Sequence, residues 1–280
     1  MQTMTAYNGV PIPNFMYGTA WKKEHTTRHV QEAVRAGFRA VDTANQLIHY
    51  EEALVGDALH ALAQEGITRD QLFLQTKFTS VSGQDHRTPY DPRSPVAQQV
   101  EQSFESSLAH LRTGHLDSYV LHGPSSREGL DRDDWEIWAT MEQLYQSGRA
   151  RMIGISNVRP GQLQRLCEQA TVIPMVVQNR CYAALGWDRE VRAICKAHHI
   201  IYQGFSLLTA NINVACDPAV GAMAKRVNTG PAQIIFRFAQ QAGMLPLTGT
   251  TDTQHMKDDL GIDAFELTPE ELAQLETIAG

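Results

Sequence analysis

Short runs of β-branched or apolar residues alternate along this chain with longer stretches in which apolar residues recur three and four apart. A strand buried on both faces followed by a helix covering one of them produces that pattern, so it points to parallel strands with crossover helices. Eight such units are present, with strands expected at Phe15–Ala20, Phe38–Ala44, Leu72–Lys77, Leu116–His122, Ala150–Ser156, Val176–Cys181, Ile200–Phe205 and Leu245–Gly249. Helices are expected at Thr27–Ala36, Glu51–Gln64, Val96–Leu111, Trp135–Gln146, Pro160–Gln169, Asp188–Ala197 and Pro231–Gln241. Gly37, Gly66, Gly148 and Gly243 follow four of them as C-cap glycines, where positive φ costs least. The 280 residues fit one domain, near the ~250 typical of a (β/α)8 barrel. A doubly wound open sheet binding a dinucleotide should carry a G-x-G-x-x-G turn after an early strand, and this chain has none.

Composition narrows the partners. With 24 Lys and Arg against 31 Asp and Glu, the net charge is −7 and no run of like charge forms a phosphate-tracking stripe, so nucleic acid is not expected. The N-terminus lacks a basic flank with an apolar core, and no stretch nears the ~18 apolar residues of a membrane span, so a cytoplasmic protein is expected. Cys167, Cys181, Cys195 and Cys216 are scattered without a C-x-x-C pair and are expected to be reduced structural thiols. The 11 histidines include no H-E-x-x-H, and His198 and His199 are chain neighbours whose side chains point apart, so no metal is expected.

In a (β/α)8 barrel the strand C-termini converge on one face, which makes polar residues ending apolar strands the best functional candidates. Asp42 in FRAVDTA, Lys77 in LFLQTK and His122 in LDSYVLHG end the second, third and fourth strands. Each alone is as readily a helix cap, a snorkelling lysine or a satisfied core histidine; on three adjacent strands they suggest chemistry. A buried Asp–Lys pair beside a phenol is a device for acid catalysis, the ammonium lowering the phenol's pKa, and Tyr50 would supply the phenol. Tyr50 and His122 together could stabilise the negative charge that develops on oxygen when hydride reaches a carbonyl carbon.

The segments NGVPIPNFMYGT, AGFRAVDTA, EEALVGDAL, LFLQTK, HLDSYVLHGP, SGRARMIGISN, VVQN and AQIIFRFAQQAG together resemble the aldo-keto reductases over nearly the whole chain. The resemblance implies an α/β fold, a (β/α)8 TIM barrel with an N-terminal β-hairpin, and hydride exchange between NADP(H) or NAD(H) and a small-molecule carbonyl. It implies that Asp42, Lys77 and His122 match the family's catalytic residues, and that Ser156, Asn157 and Gln178 bind the nicotinamide carboxamide. Phe205 stands where an aromatic ring, usually Tyr, stacks on the nicotinamide. Gly18, Thr19 and Ala20, with Ser206 and Leu207, complete the expected cofactor groove, and Trp21, His49, Phe78, His86 and Tyr90 are expected to line the substrate pocket.

Three departures bear on mechanism. The family's catalytic Tyr lies five residues after the Asp, but Leu47 is there, and the interval from Asp42 to Gly56 is two residues longer than usual. Counting back from Gly56 aligns His49 with the usual Tyr, so Tyr50 needs a one-residue bulge to donate; Tyr50 is the preferred acid because a phenol beside Lys fits that role. Where the family grips a 2′-phosphate with Lys and Arg, this chain has Gly249 and His255, with Thr250, Thr251 and Asp252 between them. Asp258 and Asp259 fall where adenine is held, and cofactor preference is left open, with the backbone amides of TGTT, the next helix N-terminus and Lys257 as remaining phosphate partners. The third departure is the lack of a long tail after LTPEELAQLETIAG, a helix with N-cap Thr268 and capping-box Glu271; a more open pocket is expected, or one closed by the Ser80–Pro95 loop or a partner subunit. A monomer or small homo-oligomer is expected. Two other readings compete: a nicotinamide-binding regulatory subunit with little turnover, and a Schiff-base aldolase or lyase using Lys77, which would leave GISN and VVQN without a role.

Overall fold

The computed structural model describes residues 2–279. Ten strands follow in chain order: β1 Thr3–Thr5, β2 Pro11–Pro13, β3 Met16–Gly18, β4 Ala40–Asp42, β5 Phe73–Phe78, β6 Ser118–Leu121, β7 Ile153–Ser156, β8 Val176–Arg180, β9 Ile201–Phe205 and β10 Met244–Thr248. The helices are α1 Thr26–Ala36, α2 Glu52–Gln64, α3 Val96–Leu111, α4 Arg132–Gln146, α5 Pro160–Gln169, α6 Arg189–Ala197, α7 Ile212–Ala215, α8 Pro218–Arg226, α9 Pro231–Gln241, α10 Thr253–Leu260 and α11 Pro269–Glu276. Strands β3 to β10 are all parallel and close into a barrel through pairing of β10 with β3, which rules out the open-sheet rival. All eight expected strands are staves, and the β1–β2 hairpin packs at the opposite end from the strand C-termini, Tyr7 Oη donating to Ile173 O at 2.6 Å ahead of β8.

All seven expected helices form, and Gly37, Gly66, Gly148 and Gly243 have φ between 75° and 127°. Helices α7 and α8 were not anticipated; α10, expected after TGTT without bounds, reads TQHMKDDL, with only Met256 and Leu260 to mark a buried stripe, too sparse to show a helical period. Two glycines fix close approaches. A Cβ on Gly56 would lie 1.8 Å from His110 O, so α2 presses directly on the end of α3; a Cβ on Gly154 would lie 2.3 Å from Val176 Cγ2, so β7 and β8 meet only with glycine there.

Cys181 and Cys195 are buried, Cys167 is half-buried and Cys216 is exposed, so Cys216 is no core thiol; all four are free. Among the described residues no group of three His, Cys, Asp or Glu side chains is gathered to hold a metal, and no helix is long and apolar enough to cross a membrane.

Candidate active site

A cleft of about 1590 Å³ opens at the C-terminal ends of the barrel strands and runs from Trp21, His49 and Tyr50 to His255, Lys257 and Asp258. Its floor at one end is a buried polar layer made by four strands. Alternation along β5 turns Gln75 and Lys77 the same way, and both have no exposed surface. Lys77 Nζ donates to Asp42 Oδ1 and Oδ2 at 2.7 Å each and to Thr43 O at 2.8 Å, which uses all three ammonium hydrogens. Gln75 Nε2 at 2.8 Å and Gln178 Nε2 at 3.1 Å also donate to Asp42 Oδ1, and both donate to Gln203 Oε1 on β9. A carboxylate taken out of water is thus paired and hydrogen-bonded, which a buried charge requires. Gln75 and Gln203 escaped the sequence reading because each looks like an isolated polar residue in an apolar strand.

Above this layer stand the phenol and the imidazole. The Tyr50 ring centroid is 5.3 Å from Lys77 Nζ and 5.9 Å from the centroid of His122, packed edge to face. The two extra residues after Asp42 are taken up in a helical turn, Tyr50 N donating to Gln46 O at 3.0 Å, which sends the side chains of His49 and Tyr50 in different directions. His49 instead packs at a tilt against Trp21, centroids 4.2 Å apart, at the rim of the cleft, where burial lowers its imidazole pKa. Tyr50, not His49, therefore shares the floor with Lys77 and His122.

Burial, reinforced by the Asp42 carboxylate, raises the Tyr50 phenol well above its ordinary pKa. That reverses the expectation that Lys77 would lower it: the ammonium spends its hydrogens on Asp42 and Thr43, and desolvation dominates. Burial likewise pulls Lys77 below its ordinary range while Asp42 pushes back. His122 is held down at about 3, by burial first and then by the charges of Lys77 and His49, so its ring is neutral. Because Lys77 is enclosed and fully bonded and does not line the cleft, it is badly placed to attack a ketone, which counts against the Schiff-base reading.

Along the cleft, Gly18, Ala20, Ser156, Asn157, Gln178 and Phe205 line one wall, with Ser206 and Leu207 beyond. Ser156 Oγ donates to Gln178 O at 2.5 Å and accepts Asn157 Nδ2, and Asn157 Nδ2 also donates to His122 O at 2.8 Å. With Gln178 Nε2 already committed, Gln178 Oε1 is left as an acceptor facing the cleft; Asn157, at φ 53°, presents Oδ1 similarly. Two open acceptors suit a primary amide N–H₂. Thr19 does not line the cleft, since its hydroxyl and amide both donate to Asp42 O at 3.0 Å and tie β3 to β4.

At the far end Gly249, Thr250, His255, Asp258 and Asp259 line the cleft, whereas Thr251 is exposed and does not. Two of these groups already have partners within the protein. Asp252 caps α10, its Oδ1 accepting Gln254 N at 2.7 Å and His255 N at 3.0 Å, so those amides are already taken by a carboxylate. Asp259 is buried and accepts Gln233 Nε2 and Thr248 Oγ1 at 2.9 Å each, so it braces α9 and β10. Lys22, which the sequence reading missed, is buried with its ammonium on Gly249 O; a Cβ at Gly249 would lie 3.4 Å from that nitrogen. The signal available was the loss of a side chain at Gly249, which leaves room for a cation from elsewhere. Arg180, also missed, lies over the Phe205 ring at 5.4 Å.

Of the expected substrate contacts, Trp21 and His49 line the cleft and three do not. Phe78 is wholly buried against Tyr90, ring centroids 5.6 Å apart, and Tyr90 Oη donates to Thr79 O at 2.6 Å. His86 is exposed, away from the cleft. From the Ser80–Pro95 loop only Ser80, Ser82 and Gly83 reach the cleft wall.

The family model for the Aldo/keto reductase family matches residues 14–279. The chain is 28% identical over 279 residues to the glyoxal reductase of Bacillus subtilis, covering 99% of this chain and 92% of that protein. It is similar to the crystal structure of an aldo/keto reductase from Brucella melitensis, at TM-score 0.85 and 26% identity over 100% of this chain and 99% of that one. An aldo-keto reductase solved in complex with NADPH shares the fold, at TM-score 0.85 and 24% identity over 99% of this chain and 87% of that chain. With the barrel, the four polar groups at its mouth and the matched family model in agreement, this chain belongs to the aldo/keto reductase family of NAD(P)H-dependent oxidoreductases.

Proposed function

We propose that this chain, acting as one barrel domain, reduces a small aldehyde, ketone or related C=N substrate to the alcohol or amine, with Tyr50 as the acid. The observation that carries the reading is the phenol of Tyr50 and the neutral imidazole of His122 facing one cleft above a buried, fully bonded Asp42–Lys77 pair. When bound, the reduced nicotinamide supplies hydride. Ser156, Asn157 and Gln178 would hold its carboxamide, for which Gln178 Oε1 and Asn157 Oδ1 are open acceptors; Phe205 would back the ring, with Ser206 and Leu207 continuing the groove. Lys22, with Lys257 and Arg180, supplies the positive charge that phosphate needs and that Gly249 and His255 do not.

The substrate oxygen sits between Tyr50 Oη and His122 Nε2, both donating. As negative charge grows on that oxygen, these preorganised donors stabilise it. Tyr50 then gives up its proton to the oxygen. The high phenol pKa keeps that proton in place at neutral pH, and the nearby Arg180 guanidinium pulls toward the phenolate that forms. His49 and Trp21 shape the entrance.

The test is fluorescence titration with NADPH and NADH, followed by cofactor oxidation with a panel of aldehydes, ketones and dicarbonyls such as glyoxal. Binding with turnover is expected. Tight binding without turnover on any member would favour the regulatory-subunit reading.

A further inference from the structure

We propose that Thr79, the residue after β5, is a positioning residue whose hydroxyl donates to His122 Nδ1 and so keeps the single imidazole proton on Nε2, facing the substrate oxygen. The inference rests on the reductase reading above and concerns a side chain which that reading does not use.

Thr79 Oγ1 lies 2.7 Å from His122 Nδ1 and makes no other hydrogen bond among the described residues. The opposite ring nitrogen, Nε2, has no protein partner and is not enclosed, and the residue lines the cleft. A neutral imidazole carries one N–H, and the partner of one nitrogen decides which nitrogen has it. If the ring donated through Nδ1, Nε2 would meet the substrate as a lone pair, and a carbonyl oxygen would find repulsion in place of a donor. The hydroxyl can rotate to donate and has no competing acceptor.

The surroundings hold Thr79 in the orientation this requires. Its carbonyl accepts from Tyr90 Oη at 2.6 Å and from Gln84 Nε2 at 3.3 Å, and a Cβ on Gly83 would lie 2.7 Å from its Cγ2, so the 81–83 turn presses on the methyl and directs the hydroxyl away from itself. His122 N donates to Phe78 O at 2.8 Å, which fixes the two backbones side by side. The same loop also grips the segment that carries Tyr50: Gln84 Nε2 donates to Asn45 O at 2.9 Å, Gln46 Nε2 to Gly83 O at 2.8 Å, and Arg87 Nη2 to Leu47 O at 2.9 Å. The Ser80–Pro95 loop thus braces both proton-bearing groups from behind, which accounts for Tyr90 facing inward.

The experiment compares wild type, Thr79→Val and Thr79→Ser, each with bound cofactor. The ¹⁵N resonances of the His122 ring, assigned by their loss in His122→Gln, report the tautomer directly, and kcat/KM and cofactor Kd are measured alongside. Wild type and Thr79→Ser are expected to be protonated on Nε2. Thr79→Val, of nearly the same shape, should populate the Nδ1–H form and lose about tenfold or more in kcat/KM with cofactor Kd unchanged. A wild-type ring protonated on Nδ1, a valine variant with unaltered tautomer, or a serine variant no better than valine would each overturn the proposal. The resonance measurement needs no substrate, so absence of turnover in every protein would count against the reductase reading while the tautomer still decides the role of Thr79.

Discussion

The two ends of the cleft are built on opposite principles. At the reacting end, Asp42, Lys77, Gln75, Gln178 and Gln203 are buried and bond one another across four strands, so every position is over-determined. At the far end Thr251, Asp252, His255, Lys257 and Asp258 are exposed on a loop and a short helix, and the buried cation Lys22 arrives from the first βα loop. A network in low dielectric tolerates little change, whereas solvated side chains can be exchanged singly at small cost. Chemistry is therefore expected to be rigid and cofactor preference adjustable.

The largest effect that would break this contrast is on turnover. Tyr50→Phe should lower kcat by roughly 10²–10⁴ with cofactor Kd little altered, while His49→Ala changes chiefly KM; an inactive His49→Ala beside an active Tyr50→Phe would reverse the assignment. Next, Lys77→Met leaves Asp42 charged, buried and without its cation, and should destabilise the fold by about 3–5 kcal/mol in urea unfolding. Adding Asp42→Asn to that variant should recover part of the loss, and no recovery would mean that packing, not charge, sets the cost.

At the far end the effects are smaller. Lys22→Met should weaken NADPH binding by about tenfold and flatten its dependence on salt, consistent with loss of one phosphate partner. Asp252→Ser keeps a helix cap but removes a carboxylate, so the ratio of NADPH to NADH affinity should rise a few-fold; an unchanged ratio would place the 2′-hydroxyl elsewhere. The smallest is a pH effect. Burial raises Asp259 from its ordinary 3.8 to about 6. Between those values the folded chain holds a proton that the unfolded chain has lost, so this carboxyl's contribution is fully present below about pH 4 and is lost as pH rises through 6. Asp259→Asn should flatten stability over that window, measured by thermal unfolding at several pH values.

The legibility of the sequence follows the same divide. Strands β3 to β10 were readable because burial on both faces demands short apolar runs, and Asp42, Lys77 and His122 stood out because each ends such a run. Phe78 and Tyr90 misled because an aromatic next to a strand end signals apolar surface without saying which side of the chain that surface faces. Tyr90 faces the core because its hydroxyl satisfies Thr79 O, and that pairing joins residues 11 apart through a loop with no periodicity.

The order of residues alone determined the number of staves, the register of polar strand ends and the family resemblance, all of which depend on neighbours within a few positions. Tertiary structure decided that a turn at Gln46–Tyr50 lifts the phenol over Lys77, that Lys22 occupies the space beside Gly249, and that Asp252 fills the α10 amides. It also decided the sense of the Tyr50 shift, because desolvation is a property of everything packed around a group, and no spacing in the chain records it.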